Sequence, residues 1–168
     1  MDYEIKYARR KNVTIRVRDC KISVVAPEGT DERLIEELVH KHRRWIEKRI
    51  DSQRARTEAL SDMSEGDIRA LKSEARIYFT ALVERYAALM GAEYNKIRIT
   101  SAKTRHGSCT REKNISFSYR LMLYPESARE YVVVHELAHT LQMNHSKKFY
   151  SIVESVLPDY KERKRLLK

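Results

Sequence analysis

The chain of 168 residues has the length of one domain, or of one domain with a small unit attached, and its 42% hydrophobic content suffices for a core. A net charge of +10 favours contact with anions such as nucleotides, nucleic acid or acidic protein. Two cysteines, Cys20 and Cys109, argue against a disulfide-stapled secreted fold. The charged amino terminus and the lack of a long apolar run argue against a signal peptide and a membrane partner, so we expect a cytoplasmic protein.

The chain begins with residues that predict a small antiparallel sheet. Apolar and polar residues alternate over residues 13–18 and again over 22–26, which is the pattern of strands with one buried face. Asp19 and Cys20 lie between these strands and predict a tight turn. A further strand is expected over residues 3–7.

A long helix is predicted after this sheet and completes an N-terminal region that we place at residues 1–60. Thr30 or Asp31 can cap the helix, because both side chains accept hydrogen bonds from free backbone N–H groups. An apolar stripe with helical spacing then runs over residues 34–50. The polar stretch over residues 61–66 contains a glycine and predicts the boundary between two domains.

The second predicted domain covers residues 64–168 and opens with a helix over residues 67–90, whose apolar positions recur every three or four residues. Short strands are expected over residues 96–101 and 114–119, where apolar and polar residues alternate. Residues 103–109 lie between these strands and predict a loop. The chain as a whole is therefore expected to have an α+β fold.

The sequence HELAHTLQMNH, which begins at His135, carries the chemistry of the chain. In a helix, His135 and His139 project from one face about one turn apart, so both imidazoles can bind one metal ion. Two neutral nitrogen ligands suit zinc, and a third ligand would leave one position for water. Glu136 flanks the same face and can take a proton from that water.

His145 is the candidate third ligand. It lies six residues after His139, so in a continuous helix it would face roughly 240° away from the metal. The helix must therefore end between the two histidines. Asn144 is suited to the left-handed conformation found at helix ends, and Ser146 can cap the helix that follows.

The second half of the chain resembles the YgjP-like family of metallopeptidases (the DUF45 group), and more distantly the SprT and Wss1 zinc peptidases. The matching blocks are KTRHGSC (103–109), ISFSYRL (115–121), YVVVHELAH (131–139), NHSKKF (144–149) and LPDYKER (157–163). The family usually has Trp at the positions of His106 and Tyr119, which we expect to be packing positions near the site.

This resemblance implies a zincin-like, minigluzincin-type helical domain with a short β-sheet, preceded by the small N-terminal sheet and its helix. It also implies a Zn²⁺ cofactor held by His135, His139 and His145, with Glu136 as the catalytic acid and base. The implied substrate is a peptide or protein.

Substrate contacts are expected on two neighbouring segments. In zinc peptidases of this general build a strand edge beside the metal helix receives the substrate backbone, and by resemblance we assign that edge to Asn114, Ile115, Ser116, Phe117 and Ser118. Lys103, Arg105 and His106 can hold substrate or stabilise developing negative charge, although structural hydrogen bonding of the loop explains them equally well.

Other metal sites fit the sequence less well. Metzincins need a glycine at the position of Gln142 and a methionine turn downstream, and no methionine follows Met143. Glu154 is the alternative third ligand that a gluzincin would take from the next helix. Cys109 is a further alternative, although a small packing residue is the simpler interpretation.

Two alternative functions stay open from the sequence. One is a metal-dependent nucleotide (UTP) pyrophosphatase, an activity ascribed to the same family, which the positive charge would suit. Against it, the chain has no glycine-rich phosphate loop. The other is a non-enzymatic protein associated with nucleic acid. In that case the zinc ion would be structural, with Cys109 or Glu154 as its fourth ligand.

Overall fold

The computed structural model describes residues 1–167, and Lys168, the last residue of the predicted second domain, lies outside the described residues. The described residues form two compact units, 1–62 and 63–167. Both units combine helices with a three-stranded sheet, so the predicted α+β class is confirmed. Among the residues described, no helix combines the length and apolarity needed to cross a membrane.

The first unit contains β1 (Tyr3–Ala8), β2 (Thr14–Arg18), β3 (Lys21–Pro27), α1 (Glu32–Lys41) and α2 (Arg43–Ser61). β2 and β3 form the expected antiparallel hairpin, with Asp19 and Cys20 both at positive φ in the turn. Two consecutive left-handed residues match the right-handed twist of the strands that they join. β1 pairs in parallel with the other edge of β3, so the sheet is mixed rather than wholly antiparallel as predicted.

The predicted long helix of this unit is two helices. Asp31 caps α1 by accepting a hydrogen bond from the N–H of Arg33, as expected. The helical conformation stops at His42, where φ is −98° and ψ is 9°, and α2 begins at the next residue. Both helices contribute to one apolar cluster with the inner face of β3, whose buried members are Ile22, Val24, Ala26, Ile35, Val39 and Ile46.

The second unit carries the sequence HELAHTLQMNH. Its elements are α3 (Glu65–Met90), β4 (Ile97–Thr100), β5 (Gly107–Cys109), β6 (Ile115–Ser118), a 3-10 turn (Tyr119–Leu123), α4 (Glu126–Leu141), α5 (Lys147–Val156) and α6 (Tyr160–Arg165). The sheet order is β4-β6-β5, with β6 in the centre, parallel to β4 and antiparallel to β5. The segment 103–109 was predicted as a loop, but its last three residues pair with β6.

Helix α3 spans the second unit and supports the sheet. Ser64 and Asp67 cap its amino end reciprocally: the Ser64 hydroxyl accepts from the N–H of Asp67, whose carboxylate accepts from the N–H of Ser64. Gly91 ends the helix in the left-handed conformation, at φ 60°. The ring of Phe79 stacks on Phe117 of β6 with centroids 4.8 Å apart, which fixes α3 against the central strand.

Candidate metal centre

Helix α4 lies at the centre of the second unit and contacts α3, α5, α6 and β5. Its sequence gives it apolar residues on most of its surface, and those that are fully buried are Ala128, Val133, Val134, Leu137 and Ala138. A helix with so much buried surface is held in place by tertiary packing rather than by its own propensity. The side chains on its remaining face are therefore presented from a fixed backbone.

Three imidazoles converge at the carboxyl end of α4. His135 and His139 project from the helix, His145 approaches from the segment that follows, and one nitrogen of each lies within 4.8 Å of the others. The Nε2 atoms of His135 and His145 are 3.1 Å apart. Two nitrogens bound to one tetrahedral ion at the usual bond length are about 3.3 Å apart. The spacing therefore suits a shared metal ion.

Phe149 of α5 packs beneath all three imidazoles. Its ring is fully buried, and its centroid lies 4.9 Å from those of His135 and His145 and 4.5 Å from that of His139. Sequence reasoning did not place Phe149 at the site. Its spacing of four residues after His145 is the signal that could have placed it at the site.

His145 reaches the cluster because α4 ends earlier than predicted. Gln142 is already extended at φ −148°, and its N–H donates to the carbonyl of Ala138 at 2.8 Å. Asn144 was expected to end the helix in the left-handed conformation, but it has no positive φ. Its side-chain oxygen instead accepts a hydrogen bond from the Gln142 amide at 2.8 Å. Ser146 caps α5 as expected, accepting from the N–H of Phe149.

Hydrogen bonds orient two of the imidazoles from behind. The carbonyl oxygen of Gln142 lies 3.4 Å from Nδ1 of His139, and the Tyr131 hydroxyl lies 3.3 Å from Nδ1 of His135. Both contacts occupy Nδ1 and leave Nε2 for a ligand. A second polar group behind each imidazole is the usual arrangement at metal-binding histidines.

Burial favours the neutral form of His135 and His139. It lowers the pKa of His135 to about 3, with smaller contributions from the neighbouring histidines and Lys164. Burial also lowers the pKa of His139, and the nearby His145 lowers it further, while hydrogen bonds to the backbone act in the opposite direction. Neutral imidazoles carry the free lone pair that a metal ion requires.

Glu136, which follows His135 on α4, is a buried carboxyl group. Its side chain is only 6% exposed, and burial raises its pKa to about 8. A carboxyl group with a pKa near neutrality can exist in both protonation states at physiological pH. Cys109 of β5 lies in the same surroundings: burial, followed by the charge of Glu136, raises the pKa of its thiol to about 11.

Gly107 makes room for Glu136. A β-carbon at this position would lie 2.7 Å from Oε1, 2.8 Å from Cγ and 3.0 Å from Cδ of Glu136. Gly107 has no positive φ and lies in β5, so no left-handed turn explains the glycine. The requirement for glycine is thus the close approach of the carboxyl side chain to the strand.

We expect Gly107→Ala to destabilise the protein by about 1–3 kcal/mol, because the new methyl group overlaps a buried side chain. Denaturant unfolding measures this change. Gly66→Ala is the matched control, since a β-carbon there meets only Ser64 Oγ at the ordinary distance of 3.5 Å. In a Glu136→Ala background the overlap is relieved, so the cost of Gly107→Ala should shrink. An unchanged cost would contradict this explanation.

The structure corrects the strand assigned to substrate. Asn114 precedes β6, and Ile115, Ser116, Phe117 and Ser118 form it; because β6 is the central strand, its backbone groups are already paired with β4 and β5. An added strand needs unpaired N–H and C=O groups. The edge next to α4 belongs to β5 instead. Sheet order cannot be read from strand patterns alone, which is why the sequence chose the wrong strand.

The other predicted substrate residues precede this edge. Lys103 and Arg105 are exposed, and the ring of His106 packs edge-on against Tyr124 at 4.9 Å. The backbone of His106 also joins the sheet, since its carbonyl accepts from the N–H of Ser118 at 2.9 Å. Tyr119, at the other position where the family usually has Trp, is buried.

The alternative ligands stay outside the cluster. Within residues 1–167, the group of side chains able to hold a metal consists of the three histidines, and neither Glu154 nor Cys109 belongs to it. Glu154 is exposed on α5. Cys109 is partly buried, and its thiol lies near the carbonyl of Thr110.

The sequence did not predict the ionic network behind α4. The carboxylate of Glu130 accepts a hydrogen bond from the Tyr86 hydroxyl of α3 at 2.9 Å and from the guanidinium of Arg163 of α6. Arg163 also pairs with Asp159 at 2.7 Å. Burial, followed by the hydrogen bond to Glu130, raises the pKa of Tyr86 to about 12. The network joins three helices on the side of α4 that does not carry the imidazoles.

Comparison with known proteins assigns the chain to a family. A family model described as "YgjP-like, metallopeptidase domain" matches residues 11–68 and 64–168. No curated protein matches the sequence significantly. Among solved structures, the crystal structure of the metallopeptidase zymogen of Pyrococcus abyssi abylysin is similar at 24% identity and a TM-score of 0.49, over 53% of this chain and 90% of that chain.

Proposed function

Because the chain belongs to the YgjP-like family of metallopeptidase domains, we propose that it is a zinc-dependent peptidase that uses Glu136 as its acid and base. The observation that carries the proposal is the convergence of three imidazoles on one position, with the buried carboxyl group of Glu136 next to the first of them in the sequence of α4. Three nitrogen ligands leave a fourth position for water or substrate, which is the arrangement of catalytic rather than structural zinc.

The chemistry of the ligands favours zinc. Imidazole nitrogen suits zinc and later transition metals, whereas magnesium and calcium prefer carboxylate and carbonyl oxygens. The 3.1 Å separation of Nε2 in His135 and His145 is close to the edge of a tetrahedron around zinc. The contacts of Tyr131 and Gln142 with Nδ1 support binding through Nε2 at both His135 and His139.

His135, His139 and His145 would hold the zinc ion, which would supply Lewis acidity towards the scissile carbonyl and a water molecule. Glu136 would accept the proton of that water at its carboxylate and deliver it to the nitrogen of the leaving amine. Burial, which places its pKa near 8, suits this dual role, because neither protonation state is strongly disfavoured at neutral pH. The backbone of β5 at Gly107 lies close against the Glu136 side chain and would restrict the position of its carboxyl group during the transfer.

We place the substrate along the edge of β5, in an extended conformation that continues the sheet β4-β6-β5. Strand β5 runs from Gly107 to Cys109 and contacts α4, the helix that carries His135 and His139. Backbone pairing recognises peptides irrespective of their side chains. Lys103, Arg105 and His106 lead into the same edge and remain candidates for contacts with substrate carbonyls or acidic side chains.

Metal content tests the proposal. Untagged wild-type protein should contain about one zinc ion per chain by elemental mass spectrometry, and His139→Ala should contain none, because two ligands hold zinc poorly. His40→Ala removes an exposed histidine of α1 and should keep the metal. Wild-type protein without metal, even after zinc is supplied, would overturn the proposal.

Activity is then measured on a library of unstructured peptides. Nucleoside triphosphates belong in the same screen, because the net charge of +10 suits a polyanionic substrate. Zinc-dependent release of new amino termini supports the peptidase. Phosphate release without peptide cleavage would replace it with the nucleotide hydrolase.

A further inference from the structure

Tyr131 lies directly behind the metal-binding histidines. It precedes His135 by four residues on α4, is 3% exposed, and places its hydroxyl 3.3 Å from Nδ1 of His135. The two rings have centroids 5.6 Å apart. Because α4 is packed on several sides, the phenol has a fixed position relative to the imidazole.

The opposite nitrogen of His135 faces the cluster. Its Nε2 lies 3.1 Å from Nε2 of His145, so Nδ1 is the nitrogen that points away from the candidate metal position. A neutral imidazole carries one N–H, on either nitrogen, and can bind a metal only through the other. Metal binding at Nε2 therefore requires the tautomer with the proton on Nδ1, which needs an acceptor on that side.

We propose that Tyr131 is a positioning residue whose phenol oxygen accepts the Nδ1–H of His135, fixing the tautomer and the ring so that Nε2 faces the metal, an inference that rests on the proposed function. A phenol with the ordinary pKa of about 10 is un-ionised at neutral pH. An un-ionised phenol offers an oxygen lone pair as well as its own O–H.

The neighbouring histidine is oriented differently. Nδ1 of His139 meets the backbone carbonyl of Gln142 at 3.4 Å, which no side-chain substitution removes. His135 instead depends on a side chain. The two contacts thus separate experimentally: a substitution at Tyr131 changes the support of one ligand and leaves the other intact.

The affinity of the metal-free protein for Zn²⁺, measured by competition with a chromogenic chelator, tests the inference. Tyr131→Phe should weaken binding by about 10–100-fold, the usual effect of losing an outer hydrogen bond to a ligand. Tyr86→Phe is the matched control, since Tyr86 is equally buried and its hydroxyl donates to Glu130 of α4 at 2.9 Å, away from the imidazoles. That variant should keep wild-type affinity.

Nitrogen NMR of the wild-type protein gives a second readout that needs no variant. With zinc bound, His135 should carry its proton on Nδ1 and coordinate through Nε2. Coordination through Nδ1, or equal zinc affinity in wild type and Tyr131→Phe, would overturn the positioning role while leaving the zinc site intact. An equal loss of affinity in Tyr131→Phe and Tyr86→Phe would also overturn it, in favour of a general packing effect. Wild-type protein that binds no zinc would overturn the proposed function and the positioning role together.

Discussion

Glu136→Gln should reduce peptide cleavage by about a hundredfold to ten-thousandfold while zinc stays bound, because the amide keeps the shape of the side chain but cannot accept or deliver the proton. Glu136 is not one of the clustered ligands. Glutamine has the same size and shape as glutamate, so it fits the same space beside Gly107. The measurement is kcat on a peptide substrate at saturating zinc, paired with the metal content of the same sample.

Glu154→Gln is the matched control for this variant. It makes the same chemical change at an exposed glutamate of α5, the residue that the sequence offered as an alternative ligand. We expect it to retain both zinc and activity. Full activity in Glu136→Gln would contradict the role of Glu136 as acid and base. Loss of zinc from Glu154→Gln would mean that Glu154 is a metal ligand.

The motif helix was predictable because its chemistry depends on local spacing. His135 and His139 are separated by four residues, so the helix alone places both on one face. His145 required the chain to reverse, and the sequence established that a break must occur without locating it. The helix ends at Gln142 rather than Asn144. Gln142 is extended, which turns the chain towards the imidazoles and places the Gln142 carbonyl next to Nδ1 of His139.

The parts that the sequence missed depend on contacts between distant segments. β5 has only three residues, too few for an alternating pattern, and it is recognisable only from its pairing with β6. The need for glycine at position 107 comes from Glu136, which is 29 residues away along the chain and touches the strand only after folding. Sequence patterns record which face of a strand is buried, but not which strands lie at the edge.

The position of Tyr131 was predictable from the sequence, but its contact with His135 was not. It has the same spacing from His135 as His139 has, so the helical geometry already placed it on the metal-binding side of α4. What the sequence did not reveal is that the phenol reaches Nδ1. An aromatic residue at helical spacing usually belongs to the core, and Tyr131 is buried as well as polar at its tip.

The stability of the metal-free protein should fall as the pH rises from 6.5 to 8. Burial raises the pKa of Glu136 from 4.5 to about 8, so the folded protein keeps a proton that the unfolded chain has already released. The stabilisation is complete below the unfolded pKa and disappears as the pH rises through the folded one. Across this window the expected loss is about 2 kcal/mol.

Denaturant unfolding of wild type and Glu136→Gln in the presence of a chelator isolates this effect. The histidines act in the opposite direction: the lowered pKa values of His135 and His139 cost stability only as the pH falls below about 6.5. The raised pKa of Cys109, about 11, acts above the window. The histidine contribution is present in both proteins and that of Cys109 lies outside the window, so between pH 6.5 and 8 the difference between the two curves belongs to Glu136.

At pH 8 the Glu136→Gln protein should therefore be more stable than wild type. Below the unfolded pKa of 4.5 the two should converge, because a neutral amide resembles the protonated acid. Parallel curves would mean that the carboxyl group ionises normally in the folded protein. The predicted pattern would instead mean that the buried carboxyl group costs the metal-free protein stability at the pH where its proton is exchanged. Reacting groups whose placement lowers the stability of the folded protein are common in enzymes.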